Sequence, residues 1–302
     1  MQLYLNGLRL AQRMPLAAAA CTLAAASLVI GTTRPALAEF EIQESNIEKG
    51  AVELEYRGAV HWGFPKAEKK EAGEDDEAGA AQEEEAEIPL RQSHELEVEY
   101  GVTEWWLVTL TLGAEQPLGE EFNLTSVEFE TQVEFIERKG NGIGFAFQGS
   151  YTQATVSGDA NEIEFGPILE LAKGPVVLTL NPLFTAQVGD NADTDGLGFQ
   201  YGWRGEYDFA KHWGAGVEMF GEIEDLANSG SFDDQNHSIG PTLFYNPGGD
   251  DDDEGGGNGD DDNNKKASGP PDMEFSLNVG VQFGLTDVTS DAALKFQGSL
   301  AF

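Results

Sequence analysis

Apolar and polar residues alternate along most of the chain from about residue 47 onward. Between residues 52 and 64 every even position carries an apolar residue or glycine, whereas the odd positions include two Glu, one Arg and one His. The same period of two recurs over residues 95–102, 127–135 and 274–283. This period predicts β-strands with one apolar and one polar face, because successive side chains of a strand point in opposite directions.

Twelve segments show this alternation. They span residues 47–63, 93–102, 105–114, 122–136, 142–154, 161–172, 175–188, 196–209, 212–224, 236–246, 272–285 and 290–302. Most are longer than the ~5–6 residues of typical soluble strands, and transmembrane strands need ~9–11. The even number favours an all-β fold, a single antiparallel up-and-down transmembrane β-barrel of about 12 strands over residues 39–302. The alternative is a soluble β-sandwich, which would bury the apolar face between two sheets.

The connections between these segments are of two kinds. Short turns at 103–105, at 173–174 and around Lys211 are expected on the periplasmic side, and longer polar loops such as 189–196 on the outside. Aromatic residues beside the short turns predict a girdle at one membrane interface. These aromatic residues are Tyr100, Trp106, Tyr207, Phe209, Trp213 and Phe302.

Residues 1–38 have the pattern of a secretory signal peptide. Arg9 and Arg13 precede an apolar run over residues 14–31, and Ala36-Leu37-Ala38 supplies the small residues of a cleavage site. We therefore predict cleavage after Ala38. The alternatives are an uncleaved membrane anchor and a lipoprotein signal at Cys21.

The charge of the chain excludes several classes of protein. There are 17 Lys and Arg against 54 Asp and Glu, which gives a formal net charge of −37. Such a charge repels a phosphate backbone, so no nucleic acid is expected as a partner. The single cysteine, Cys21, lies within the signal peptide, which excludes a disulfide scaffold and thiolate chemistry.

Two acidic insertions interrupt the alternation, at residues 66–87 and 247–271. They have almost no apolar side chains to bury, so we predict that both loops are disordered. The second contains Asp250–Glu254 and Asp260–Asp262, whose composition allows weak divalent-cation binding, although the favoured interpretation is a solvated acidic linker. Because this loop follows segment ten on the short-turn side, it indicates either a long periplasmic insert or a missed strand.

The polar face of the predicted barrel is acidic. An unpaired buried carboxylate is costly, so such a lining requires water and cations in the lumen. A twelve-stranded barrel leaves room for them, since ~8 strands are just filled by side chains. The residues predicted to line a solute path are Glu53, Glu55, Arg57, Glu95, Glu97, Glu99, Glu128, Glu130, Glu134, Arg204, Glu206, Glu218, Glu222 and Lys295.

The two arginines of this face have two interpretations. Arg57 and Arg204 either contact the solute or clamp neighbouring carboxylates in bidentate pairs. Counting back from the turn around Lys211 sets Phe209 opposite Trp213 and Arg204 opposite Glu218. This register predicts that Arg204 and Glu218 form an ion pair, or at least that their Cβ atoms are direct neighbours.

The last ten residues, 293–302, alternate and end in Phe302, with Phe296 and Leu300 on the same face. Together with the signal peptide and the strands, this ending resembles that of bacterial outer-membrane β-barrels, although Gly298 offers no side chain at one alternate position. The resemblance implies a cell outer membrane location, with outer-membrane lipid and the barrel-assembly machinery as partners. The chain is also similar to the meander barrels grouped as transporters of the phenol-degradation (MetA-pathway) type, a resemblance that carries over no binding residue.

The residues do not favour an enzyme. Ser93 adjoins His94 and Ser238 adjoins His237, so the members of each pair point to opposite faces of a strand. We expect no catalytic residue, no cofactor and no metal site. The predicted function is a conduit for an unidentified small solute, either a cation-preferring pore or an uptake route for small hydrophobic compounds. The alternative is a structural or surface barrel without transport, whose acidic loops bind divalent cations weakly.

Overall fold

The computed structural model describes residues 40–65, 88–192, 196–247 and 273–302. The predicted signal peptide, the acidic loop 66–87 and all but the first residue of the loop 247–271 lie outside these ranges. Twelve strands are formed: β1 (Val52–Trp62), β2 (Leu90–Thr103), β3 (Trp106–Pro117), β4 (Asn123–Ile136), β5 (Ile143–Ala154), β6 (Asn161–Lys173), β7 (Val176–Val188), β8 (Gly198–Ala210), β9 (Trp213–Ile223), β10 (Asn236–Tyr245), β11 (Glu274–Gly284) and β12 (Ala292–Ala301).

The strands form a closed antiparallel barrel in which each strand pairs with its neighbours in sequence and β1 pairs with β12. The closing register runs from Glu53 opposite Ala301 to Trp62 opposite Ala292. β10 and β11 also pair directly, with Thr242 opposite Gly280. The predicted fold is therefore confirmed, and the two strands on either side of the long acidic insertion are neighbours in the closed barrel.

The alternation of the sequence separates the two faces of the barrel. Large apolar side chains such as Leu96, Val98 and Phe129 are exposed on the outer face, whereas polar side chains such as Glu97 and Glu130 are buried inside. A short 3-10 helix, Phe232–Asp234, lies between β9 and β10. No helix within the described ranges is long and apolar enough to cross a membrane.

The two ends of the barrel differ in their connections. At one end, here called the turn end, two-residue turns join β2 to β3, β6 to β7 and β8 to β9. The chain enters β1 at this end, where Val52 exchanges backbone hydrogen bonds with Phe302. The opposite end, here called the loop end, carries connections of five residues or more, including 224–235 and 285–291, whereas the connection 137–142 and the long acidic insertion after β10 join strands at the turn end.

The pairing of β8 with β9 tests the register that was predicted by counting back from the turn around Lys211. Arg204 lies opposite Glu218 and Asp208 lies opposite Gly214, as predicted. The predicted pairing of Phe209 with Trp213 is wrong, since Ala210 lies opposite Trp213 and the register shifts between Asp208 and Ala210. The turn contains two residues rather than the three assumed in the count, and the extra residue at Phe209 offsets this difference, so Arg204 still lies opposite Glu218.

Candidate functional site

The chain before β1 lies inside the barrel. This N-terminal segment, residues 40–51, enters from the turn end and crosses the inner faces of several strands. The backbone N–H of Gln43 donates to Asn181 Oδ1 on β7 at 2.7 Å, and Asn181 Nδ2 donates back to the Gln43 carbonyl at 3.1 Å. Gln132 Nε2 on β4 donates to the carbonyl of Glu44 at 3.0 Å. The sequence analysis had no prediction for residues 40–46 and assigned residues 47–51 to the first strand.

Ser45 anchors the middle of the segment. Its backbone N–H donates to Glu170 Oε2 on β6 at 2.9 Å, and its hydroxyl donates to the same oxygen. Both residues are completely buried. Arg138 lies 3.2 Å from the other oxygen of Glu170, so this carboxylate is neutralised as well as hydrogen-bonded. Further toward the turn end, the N–H of Ile47 donates to Glu134 Oε2 at 3.2 Å.

Inward-facing glycines make room for this segment. A Cβ built on Gly144 of β5 would meet the Ser45 hydroxyl, and one built on Gly101 of β2 would meet the carbonyl of Glu48. A Cβ on Gly202 of β8 would lie 3.1 Å from the carbonyl oxygen of Glu41. Glycine at inward positions is therefore the one sequence signal that could have indicated a segment inside the barrel.

Arg57 lies at the centre of a cluster of carboxylates. Its guanidinium contacts Glu41 of the N-terminal segment at 2.6 Å, Glu97 at 2.7 Å and Glu55 at 3.1 Å, and it also pairs with Glu95. Four carboxylates surround one cation, which is the arrangement of a clamp. Oxygens of Glu41, Glu55 and Glu97 lie within 4.8 Å of one another, so this trio has the spacing of a cation site but already holds the guanidinium.

Arg204 has a different partner from the one predicted. It faces the lumen and lies in register with Glu218, but its guanidinium pairs with Glu44 of the N-terminal segment and lies 3.5 Å from Glu206. Glu218 is bound by Lys295 at 2.5 Å. The expected pair is replaced because the N-terminal segment brings a further carboxylate to Arg204 and β12 supplies an amine to Glu218.

Lys295 and two aromatic rings complete the inner contacts of the segment. The Lys295 ammonium donates to the carbonyl of Phe40 at 3.3 Å and lies 5.2 Å from the centre of the Phe220 ring. The Phe40 ring packs edge-on against Phe220 at 5.2 Å and stacks on His61 at 5.8 Å. The first residues of the segment therefore form a floor across the middle of the barrel.

A cavity of about 990 Å³ lies between this floor and the loop end. Phe40, Glu41 and Gln43 contribute to its lining, and loop-end residues such as Asp234 and Asp287 surround its outer part. The turn half of the lumen is occupied by the N-terminal segment. The two halves of the lumen thus differ: a cavity lies on the loop-end side of the floor, and the N-terminal segment fills the turn-end side.

The wall of this cavity formed by β4, β5 and β6 carries four carboxylates: Glu128, Glu130, Glu162 and Glu164, here called the acidic wall. Glu130 lies opposite Ser150, which lies opposite Glu164. The next row toward the loop end is Glu128, Thr152 and Glu162. Among the described residues, no ion pair joins these four carboxylates to a basic side chain.

The predicted lining residues divide between the two halves of the lumen. All of them lie on strands at positions that alternate with exposed apolar side chains. Those that line the cavity are Glu95, Glu128, Glu130 and Glu222. Those below or around the floor are Glu53, Glu55, Arg57, Glu97, Glu99, Glu134, Arg204, Glu206, Glu218 and Lys295.

The predicted solute path omitted several acids of the lumen, among them Glu162, Glu164 and Glu170 on β6 and Glu41 and Glu44 of the N-terminal segment. Glu162 shares its strand and parity with Glu164, so the alternation alone could have indicated it. Glu41 and Glu44 lie outside any alternating segment, and no local pattern predicts that they enter the barrel.

Comparison with known proteins gives little beyond the architecture. No family model matches the sequence, and no curated protein matches it. Among solved structures, the chain is similar to the KdgM porin in complex with disordered oligogalacturonate, with 9% identity and a TM-score of 0.44 over 83% of this chain and 98% of that one. It is also similar to Pseudomonas aeruginosa OprD, with 9% identity and a TM-score of 0.35 over 70% of this chain and 60% of that one. Likeness at this level gives no basis for transferring a solute or a site.

Proposed function

We propose that the protein is an outer-membrane channel for small solutes that prefers cations to anions. The observation that carries the proposal is a closed barrel with an apolar outer face and, on its inner wall, four carboxylates that form no ion pair with a basic side chain of the described residues. The N-terminal segment forms the constriction of this channel.

The outer face supports a membrane location. Leu96, Leu110, Phe129, Leu243 and Val279 lie on five different strands, and each is more than two fifths exposed. Exposed apolar surface costs about 25 cal/mol per Å² in water, and soluble monomers rarely expose contiguous apolar patches above a few hundred Å². A hydrocarbon layer removes this cost, and an apolar band outside a polar interior is typical of outer-membrane barrels.

The inner face supports cation preference. Unpaired carboxylates in a narrow aqueous space concentrate cations and repel anions. The acidic wall has four of them, whereas Arg57, Arg204 and Lys295 are each paired with carboxylates. The field above the floor is therefore negative.

The N-terminal segment supports a gated route. A solute that enters at the loop end reaches the floor formed by residues 40–43 before it can reach the turn end. We infer that passage requires displacement of this segment from Asn181 and Glu170. The segment is held by individual hydrogen bonds to side chains rather than by strand pairing, so it can leave without opening the barrel.

The test is the reversal potential in planar bilayers under a KCl gradient. We expect the wild-type current to reverse near the potassium potential, and Glu128→Gln with Glu162→Gln to move the reversal potential toward zero. The matched control is Glu121→Gln with Glu137→Gln, which removes two exposed carboxylates outside the lumen. An unchanged reversal potential in the lumen variant contradicts the proposed selectivity, and absence of current in every variant favours the structural barrel.

A second candidate, uptake of small hydrophobic compounds, is favoured by the aromatic floor. The Phe40 ring contacts both His61 and Phe220, and all three residues line the cavity. Binding of phenol that is insensitive to salt and weakened by Phe220→Ala would support this candidate, since an apolar contact is not screened by ions.

A further inference from the structure

The acidic wall has a regular spacing that selects among cations. Glu128 and Glu130 are two residues apart on β4, as are Glu162 and Glu164 on β6, and β5 separates the two pairs. Strand geometry therefore sets their backbone positions about 7 Å apart along a strand and about 9–10 Å apart across β5. Ser150 and Thr152 fill the rows between them with hydroxyl groups.

We propose that the acidic wall binds linear organic dications, with diamines of four to five methylene groups as the best-fitting class. The inference deepens the proposed function, because it names the kind of cation that the same cavity takes. With single bonds of about 1.5 Å, an extended diamine of this length places its two ammonium groups about 6–8 Å apart. This separation matches the spacing of about 7 Å between the backbone positions of the two acids on one strand.

A buried and unsatisfied oxygen points to a ligand at this wall. Glu130 is only 5% exposed, it lines the cavity, and its Oε1 has no hydrogen-bond partner among the described residues. A buried carboxylate oxygen without a donor is costly. An ammonium group supplies three donors and a positive charge. One N–H can donate to the free oxygen of Glu130, and another can donate to the hydroxyl oxygen of Ser150 in the same row.

The spacing disfavours a compact metal ion. Calcium and magnesium need several oxygens at about 2.0–2.6 Å, so the ligand oxygens of one ion lie close together. Within the described ranges, the trio with oxygens that close is Glu41, Glu55 and Glu97, where Arg57 already provides the cation. The acidic wall spreads its charge over two strands, which suits an extended dication.

The experiment measures binding to the detergent-solubilised full-length mature protein by calorimetry at low ionic strength. The probes are 1,4-diaminobutane, butylamine, which has the same chain with one charge, and magnesium chloride, which is a compact dication. We expect 1,4-diaminobutane to bind at least about tenfold more tightly than butylamine or magnesium, which corresponds to ~1.4 kcal/mol. Glu130→Gln with Glu164→Gln should weaken diamine binding by about tenfold or more.

The control variant is again Glu121→Gln with Glu137→Gln, which changes the net charge equally and should alter diamine affinity less than twofold. Folding of each variant is checked by heat-modifiable gel mobility, and the two single substitutions replace the double variant if that one fails to fold. Equal affinity for magnesium and diamine, or unchanged diamine binding in the lumen variant, overturns the inference.

The outcomes separate this inference from the proposed channel. If the protein binds the diamine through Glu130 and Glu164 but passes no current, the binding site is supported and the channel function is contradicted. If the protein passes a cation current but binds the diamine equally well after both substitutions, the channel function is supported and the diamine site is contradicted.

Discussion

The position of Ser45 against Gly144 gives a direct test of the gate. Replacing Gly144 by Ala adds a methyl group where the Ser45 hydroxyl lies, and 3.1 Å from both Glu170 Oε2 and Arg138 Cβ. Ser45 is fully buried, so its hydroxyl must leave its position on Glu170 and the serine must rotate or move away from β5. We expect Gly144→Ala to displace the N-terminal segment and raise the conductance of the barrel.

The structure sets the size of this effect. Ser45 makes two hydrogen bonds to the Glu170 carboxylate, and each bond to a charged group contributes about 1.5–3 kcal/mol. Loss of one of them shifts the ratio of displaced to bound segment by about ten- to a hundredfold, since ~1.4 kcal/mol is a factor of ten. The open fraction in single-channel recordings should increase by a similar factor while it remains small.

The same strand offers a matched control. A Cβ on Gly149 would make only ordinary contacts, at 3.7 Å and 4.0 Å, and its position alternates with the inward Gln148. Gly149→Ala should therefore leave the open fraction at the wild-type value. Ser45→Ala is the second variant, because it removes the hydroxyl bond without a clash. If Gly144→Ala folds and conducts like Gly149→Ala, the N-terminal segment does not limit conduction and the reasoning is refuted.

Two further predictions concern folding. Arg57→Leu leaves four carboxylates without their central cation and should lower the free energy of unfolding by about 3–5 kcal/mol. Arg57→Lys should recover part of the lost free energy of unfolding. Equal heat resistance of wild type and Arg57→Leu in gel mobility would show that the cluster is not a clamp. Deletion of residues 248–268 should leave the folded band unchanged, because β10 and β11 pair without it and the segment offers almost no apolar surface; loss of that band would show that the insertion is part of the barrel.

The alternation of apolar and polar residues was sufficient for the barrel itself. A strand places neighbouring side chains on opposite faces, so the pattern around Leu96, Glu97 and Val98 reports which face meets lipid and which meets the lumen. The same local rule predicted the number of strands, whereas the register of Arg204 with Glu218 was predicted by counting back from the turn around Lys211. The rule did not predict the register shift between Asp208 and Ala210, because the extra residue, Phe209, depends on the length of the turn between β8 and β9.

What the lumen contains was decided by the tertiary structure. Residues 40–47 have no period of two, and the side chains that bind them come from strands far apart in sequence, such as Arg57 on β1 and Lys295 on β12. These strands meet around one space only after β1 pairs with β12. The sequence by itself thus determined the wall of the barrel, because strand faces follow from neighbouring residues. Closure of the barrel decided that Glu44 pairs with Arg204, that the turn half is filled and that a cavity remains above Phe40.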